Sequence, residues 1–163
     1  MKTKRQNIPR MLVSASQRGI TGVQRIQKGN RRHGEENRRH PGARRWEAKA
    51  EKELSSYLRG RGRSFSTPCD LQGLTPFTST VLRTTCQIPY GEVRSYRWVA
   101  QRVGRPRATR AVGNALARNP VPILIPCHRV VRSDGSLGGY TLGLQMKRTL
   151  LEMERNNGFH TKK

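Results

Sequence analysis

Residues 95–120 read "SYRWVAQRVGRPRATRAVGNALARNP". Ser95 is placed to cap a helix over residues 96–103, with Trp98, Val99 and Val103 turned inward and Gly104 ending it. "GRP" at 104–106 turns the chain. A second helix is predicted from about residue 107 to 118, its inner face made of Ala108, Ala111, Val112, Ala115 and Leu116. Asn119-Pro120 stops it. Two short helices across a three-residue turn containing glycine form a helix-turn-helix pattern. An ordinary αα-corner is the alternative, disfavoured because the second helix is so small and so basic.

Downstream, "NPVPILIPCHRVV" (119–131) reads as a buried strand that carries a thiol and an imidazole side by side. Adjacent strand residues point to opposite faces, so His128 is not expected to stack on the Cys127 sulfur. As metal ligands the pair is badly placed, since His33, His40 and His160 lie far off in sequence. A structural buried thiol explains neither the neighbouring histidine nor the prolines at 120, 122 and 126. A nucleophilic cysteine activated by a base explains them. Beyond it, "RSDGSLGGY" (132–140) reads as a hairpin turn around Asp134-Gly135. A final helix over 142–155 carries Leu142, Met146, Leu150 and Met153 on one face, and Asn156-Asn157-Gly158 ends it.

Upstream, Pro76 precedes a helical stripe of Phe77, Val81 and Leu82. Residues 45–58 place Trp46, Ala50, Leu54 and Leu58 at every fourth position, a short amphipathic helix. Residues 60–76 form a linker with one short extended segment. Residues 1–45 hold thirteen Lys and Arg against Glu35 and Glu36, with "MLVSA" the sole sizeable apolar patch. They read as a disordered basic arm that adds salt-sensitive affinity but no chemistry. An organelle transit peptide has similar composition, but no amphipathic helix pattern accompanies it here.

The 163 residues carry a formal net charge of +23. A chain this basic repels itself and calls for a polyanion: nucleic acid or an anionic membrane surface. No apolar run is long enough to span a bilayer, and there is no signal-peptide core. Cys69, Cys86 and Cys127 are odd in number and widely spaced. They suit neither a disulfide framework nor zinc, and point to a reduced intracellular protein.

"NPVPILIPCHRVV", preceded by "IPYGEVRSY" (88–96) and "ATRAVGNAL" (108–116) and followed by "GGY" (138–140) and a leucine-rich helix reaching Glu154, resembles the O6-alkylguanine-DNA alkyltransferases. The resemblance runs over about residues 77–154. It implies an α/β protein whose C-terminal domain (77–158) is mostly α: a winged-helix-like helix-turn-helix domain with a short two-stranded element. Residues 46–76 would be a remnant of an N-terminal α/β domain, and 159–163 a tail.

The chemistry implied is direct damage reversal. Cys127 would take an alkyl group from O6 of guanine, or from O4 of thymine, irreversibly and once per molecule. By the resemblance, His128 reaches the thiol through a bridging water, Glu154 orients His128, and Tyr96 protonates the leaving guanine. Asn119 would tie the helix-turn-helix to the active-site segment. The flipped base would sit against Leu116, Val130, Gly138, Gly139, Tyr140 and Thr141. Arg110 would fill the gap left in the duplex, with small Ala108, Ala111 and Gly113 letting its helix lie deep in the minor groove. Thr78, Arg97, Arg105 and Ser133 are expected to meet phosphates. No cofactor or metal is implied. The expected partner is duplex DNA bearing O6-alkylguanine, bound by a monomer in a prokaryotic cytoplasm or a eukaryotic nucleus. The competing readings are an alkyltransferase-like protein that flags lesions without transfer, and a helix-turn-helix regulator. Retention of "PCHR" argues against the first; Tyr96, Asn119 and Glu154 argue against the second.

Overall fold

In the computed structural model, which describes residues 9–26 and 41–158, the first described element is a β-hairpin. Strands β1 (Met11–Ser16) and β2 (Gly19–Arg25) pair antiparallel, Val13 opposite Val23 and Ala15 opposite Ile20, with an irregularity between Ser14 and Ala15. These four side chains are buried, under helix α1 (Pro41–Leu58). The expectation of disorder is therefore corrected for residues 11–25 and 41–45. The parts of that expectation that fall on residues 1–8 and 27–40, and the tail at 159–163, lie outside the described residues.

The hairpin is tied to the rest of the chain by its backbone. Ile20 donates its N–H to Pro68 O (2.8 Å) and accepts from Asp70 N (2.8 Å), so 68–70 forms a short parallel edge beside β2. Gly19 makes this approach possible: a Cβ there would collide with the Pro68 carbonyl. Val23 N–H donates to Pro120 O (2.8 Å), which places the hairpin directly on the loop that precedes Cys127. Arg18, assigned by composition to a loose arm, pairs with Asp70 at 3.2 Å.

On α1 the buried face is Ala43, Ala50, Leu54, Tyr57 and Leu58, with Trp46 partly buried and donating its indole N–H to Gln17 O (3.1 Å). Helix α2 (Pro76–Thr85) starts with Thr75 accepting from Thr78 N. The two-residue strand β3 (Arg94–Ser95) leads into α3 (Tyr96–Arg102), where Ser95 accepts from Trp98 N (3.0 Å) as its capping residue. Gly104 leaves α3 at φ +73, a conformation that suits glycine. Helix α4 (Thr109–Ala117) packs on α2 and α3, completing the helix-turn-helix. Its inner face is narrower than expected: Val112, Ala115 and Leu116 are buried, Ala108 is half-buried and Ala111 points outward.

Residues 119–131 do not form a strand. Three prolines withhold the N–H groups a ladder needs, and the segment loops instead, with Ile125 N–H returning to Val121 O (3.0 Å). Cys127–Arg129 is a single 3-10 turn, and only β4 (Val130–Val131) is extended, pairing parallel with β3. A turn does form around Asp134-Gly135, with Gly135 N–H bonded to Arg132 O (3.0 Å). No second hairpin strand follows it among the described residues. Helix α5 (Leu144–Gly158) closes the fold, burying Met146, Lys147, Leu150, Met153 and Glu154. One apolar cluster runs from Val13 and Ile20 through Leu54 and Val81 to Ile125 and Leu150. The N-terminal hairpin is thus part of the same core as the site described next.

Candidate active site

Cys127 sits where the loop after α4 tightens into the 3-10 turn, 4% exposed. The loop is shaped by Asn119, itself buried. Its amide donates from Nδ2 to Ile125 O (3.2 Å) and to Cys127 Sγ (3.1 Å), while Oδ1 accepts from Val121 N (3.0 Å). Burial pushes the thiol up to about 11, the Asn119 N–H and the Lys147 ammonium pulling the other way. At rest it is a protonated thiol awaiting a base.

His128 follows in the same turn, fully buried. Its Nε2 lies 2.9 Å from Glu154 Oε1 and 3.1 Å from Tyr57 Oη. Its Nδ1 is buried with no hydrogen-bond partner among the described residues. Burial lowers the pKa of His128, with Glu154 opposing, so burial favours the neutral imidazole.

Glu154 reaches this point from α5 and is also buried. Arg129 grips it from Nε (3.1 and 3.0 Å to the two oxygens) and from one terminal nitrogen (2.9 Å). Gly91 N–H donates to Oε2 (2.9 Å) and the Tyr57 hydroxyl to Oε1. Burial alone would raise this carboxyl. The hydrogen bonds from His128 and Arg129 outweigh it and hold the pKa at about 2. The other terminal nitrogen of Arg129 donates to Ile88 O (2.7 Å).

Cys127 opens onto a cavity of about 480 Å³ between α4, α3 and the 138–141 loop. Tyr96, Arg110, Gly113, Leu116, Gly138, Gly139, Tyr140 and Thr141 line it, as do Thr109, Ala117 and Arg132, which the sequence did not single out. Gly138, at φ +64, lets the loop lie flat on Tyr96: a Cβ there would stand 2.6 Å from the phenol oxygen. The same burial and the nearby thiol raise the Tyr96 pKa, with Arg132 opposing. Tyr140 Oη is buried in the wall without a hydrogen-bond partner among the described residues.

Behind the loop lies a buried cation, Lys147 on α5. Its Nζ donates to the carbonyls of Val130 (2.6 Å), Leu137 and Gly139 (3.1 Å), and it stands 5.9 Å over the Tyr96 ring. Burial lowers it to about 8, with the thiol opposing.

Cys127 and Tyr96 thus both line the cavity, Asn119 holds the thiol from within the core, and His128 and Glu154 are buried beside it. Two expectations fail. Val130 is fully buried and is not part of the lining of this cavity; its carbonyl serves Lys147. Thr78 is also buried, with its N–H and hydroxyl both engaged by Thr75, so it is not placed to meet a phosphate. Arg97, Arg105, Arg110 and Ser133 are exposed, Arg105 over the Phe77 ring (5.4 Å). No three His, Cys, Asp or Glu side chains are grouped to hold a metal among the described residues. Tyr57, Arg129 and Lys147 were missed from sequence.

Residues 76–156 match the family model described as the DNA-binding domain of 6-O-methylguanine DNA methyltransferase. The methylated-DNA–protein-cysteine methyltransferase of Methanosarcina barkeri is 48% identical over 108 residues, 66% of this chain and 68% of that protein. The inducible enzyme of that name from Bacillus subtilis is 44% identical over 103 residues, 63% of this chain but 57% of its own length. Two crystal structures from Mycobacterium tuberculosis are similar throughout. One is the O6-methylguanine methyltransferase (TM-score 0.77, 31% identity, 96% of this chain and 92% of that one). The other is OGT in complex with DNA (TM-score 0.76, 36% identity, 90% and 87%). A shared fold over nearly the whole chain, with the PCHR turn at its active cavity, makes this chain a member of the methylated-DNA–protein-cysteine methyltransferase family.

Proposed function

We propose that this chain repairs alkylated DNA by direct reversal, moving an alkyl group from O6 of guanine onto Cys127. One observation carries the reading: a thiol in a cavity with room for a purine, beside a buried imidazole whose Nε2 is anchored on a carboxylate and whose Nδ1 has no partner among the described residues. The free Nδ1 of His128 is the base that draws the proton from Cys127, through a bridging water. The sulfur then attacks the alkyl carbon in line, the S–C bond forming as the C–O6 bond breaks. The electron pair left on guanine is taken up by a proton from Tyr96. The thioether is not reversed by thiol exchange, so each molecule reacts once.

The base must leave the stack to reach this depth. The cavity walls, Gly138 and Gly139 on one side and Leu116 on the other, suit a flat ring. Arg110 stands exposed at the mouth and fills the gap in the duplex. Among the described residues no helix is long and apolar enough to cross a membrane. We read the chain as a monomer that acts on duplex DNA without a cofactor, in the cytoplasm if the cell is prokaryotic and in the nucleus if it is eukaryotic; the relatives named above are archaeal and bacterial.

Intact-mass measurement after mixing with methylated duplex tests the reaction. One added methyl per chain, on Cys127, is expected, and turnover well past one equivalent would sink the mechanism. Arg110→Ala tests flipping. Repair of duplex is expected to fall roughly tenfold or more, because unstacking costs a few kcal/mol, whereas reaction with free O6-benzylguanine holds. Equal losses on both substrates would assign Arg110 to folding.

A further inference from the structure

Tyr57 comes from α1, which precedes the matched domain at 76–156, yet its hydroxyl lies inside the buried relay. The side chain is 0% exposed. Its ring packs against Phe65 (5.1 Å between centroids) and stands edge-on to Tyr90 (6.0 Å) and His128 (6.4 Å). A phenol has one hydrogen to give, and Tyr57 gives it to Glu154 Oε1. Burial and the Glu154 charge push its pKa up, so that hydrogen stays on the oxygen.

A hydroxyl whose hydrogen is committed can only accept from a second partner. His128 Nε2, 3.1 Å away, must therefore be the donor. Glu154 Oε1, ionised and 2.9 Å from the same nitrogen, makes the same demand. Two acceptors on one side of the ring fix the hydrogen on Nε2 and leave Nδ1 as the basic nitrogen. They also fix the ring in its plane, which a single acceptor would leave free to pivot about the Nε2 contact. The other charged and titratable groups around His128 are Arg129 in its own turn, Lys147 on α5 and Tyr140 in the cavity wall. Of all these, only Tyr57 joins the imidazole to the N-terminal part of the fold.

We propose that Tyr57 is a positioning residue for the transfer reaction: through its bonds to Glu154 and His128 it holds the imidazole in the tautomer and orientation that present Nδ1 to Cys127. The assignment rests on the transfer chemistry proposed above. It makes α1 part of the reactive machinery, although it lies outside the domain that binds DNA.

The test is Tyr57→Phe, which keeps the ring and its packing and removes only the oxygen. Phe65→Leu serves as the control, loosening the same packing while leaving the hydroxyl in place. Single-turnover transfer at saturating methylated duplex, duplex affinity, melting temperature and nitrogen NMR of the His128 ring are measured on the full chain. Loss of one of two orienting contacts is expected to slow transfer roughly tenfold to a hundredfold, with duplex affinity unchanged. The His128 ring resonances should move and its Nε2–H should exchange faster with solvent. Phe65→Leu should melt lower yet transfer at the wild-type rate with unmoved ring resonances. A Tyr57→Phe protein with the wild-type rate, or with unmoved ring resonances, overturns the proposal. So does a rate loss in both variants that merely tracks melting temperature. Should the unmodified protein transfer nothing, the reaction itself has been misassigned, and the NMR comparison still reports whether Tyr57 sets the tautomer.

Discussion

Cys127→Ser is expected to abolish alkyl transfer, a loss greater than about 10⁴-fold, while binding to methylated duplex survives. The thiol is already hard to ionise: burial holds it at about 11 even with the Asn119 N–H and Lys147 favouring the thiolate. A hydroxyl in the same place is less acidic still. The base available to it, His128, is weakened by its own burial. Neither partner can compensate for the other, so the nucleophile is lost rather than slowed. The surroundings, by contrast, have little reason to move. The serine oxygen can accept the Asn119 Nδ2 hydrogen that the sulfur now takes at 3.1 Å, so the 119–127 loop keeps its shape. Arg110 and the exposed face of α4 are untouched. Intact mass and a duplex-binding titration on the same preparation separate the two effects. Methyl accumulating on the serine variant, for instance at the exposed Cys86, would show that Cys127 is not the acceptor.

What could be read from the sequence follows physical lines. The helix-turn-helix was legible because its signals are local: a serine cap, a glycine exit, an Asn-Pro stop. Cys127, His128, Asn119, Tyr96 and Glu154 were legible because they belong to contiguous motifs. The hairpin at 11–25 was hidden by its own make-up. Its inward side is only Val13, Ala15, Ile20 and Val23, four residues interrupted by an irregularity at Ser14/Ala15, in a region whose arginines dominate the composition.

The strand expected at 119–131 failed for a reason the sequence already contained, since three prolines cannot serve a ladder. Two missed residues had a signal too. Lys147 precedes Leu150 by three positions and Glu154 follows it by four, so both charges share the inner face of α5. Tyr57 follows Leu54 by three on the buried face of α1. A polar atom on an inward stripe signals a buried bond, but its partner lies elsewhere in the chain: Tyr57 and Glu154 are 97 residues apart. Only the fold brings them together.

Glu154→Gln is expected to remove stability and transfer together. The carboxylate is 1% exposed and accepts from Tyr57, His128, Arg129 and Gly91 at once. Gln keeps the shape but loses the charge and puts an NH₂ where an acceptor is needed. Arg129, 6% exposed, then keeps a buried positive charge with no anion against it, and Ile88 O alone cannot replace one. Breaking a buried pair in this way costs about 3–5 kcal/mol, a fall in melting temperature on the order of 10 °C for a chain of this size. Acidity gives the check that the charge is responsible. The folded pKa of Glu154 is depressed to about 2 from an ordinary value of 4.5. Its contribution is therefore complete above pH 4.5 and fades as the pH falls through that value toward 2. The gap in unfolding free energy between the two proteins should be widest near neutrality and narrow between pH 4.5 and 3, because acid protonates Glu154 in the unfolded wild-type chain while the folded carboxylate stays ionised, and the amide takes up no proton in either state. A gap of constant size across that range would mean that packing, not the ionised carboxylate, holds Arg129 and His128 in place.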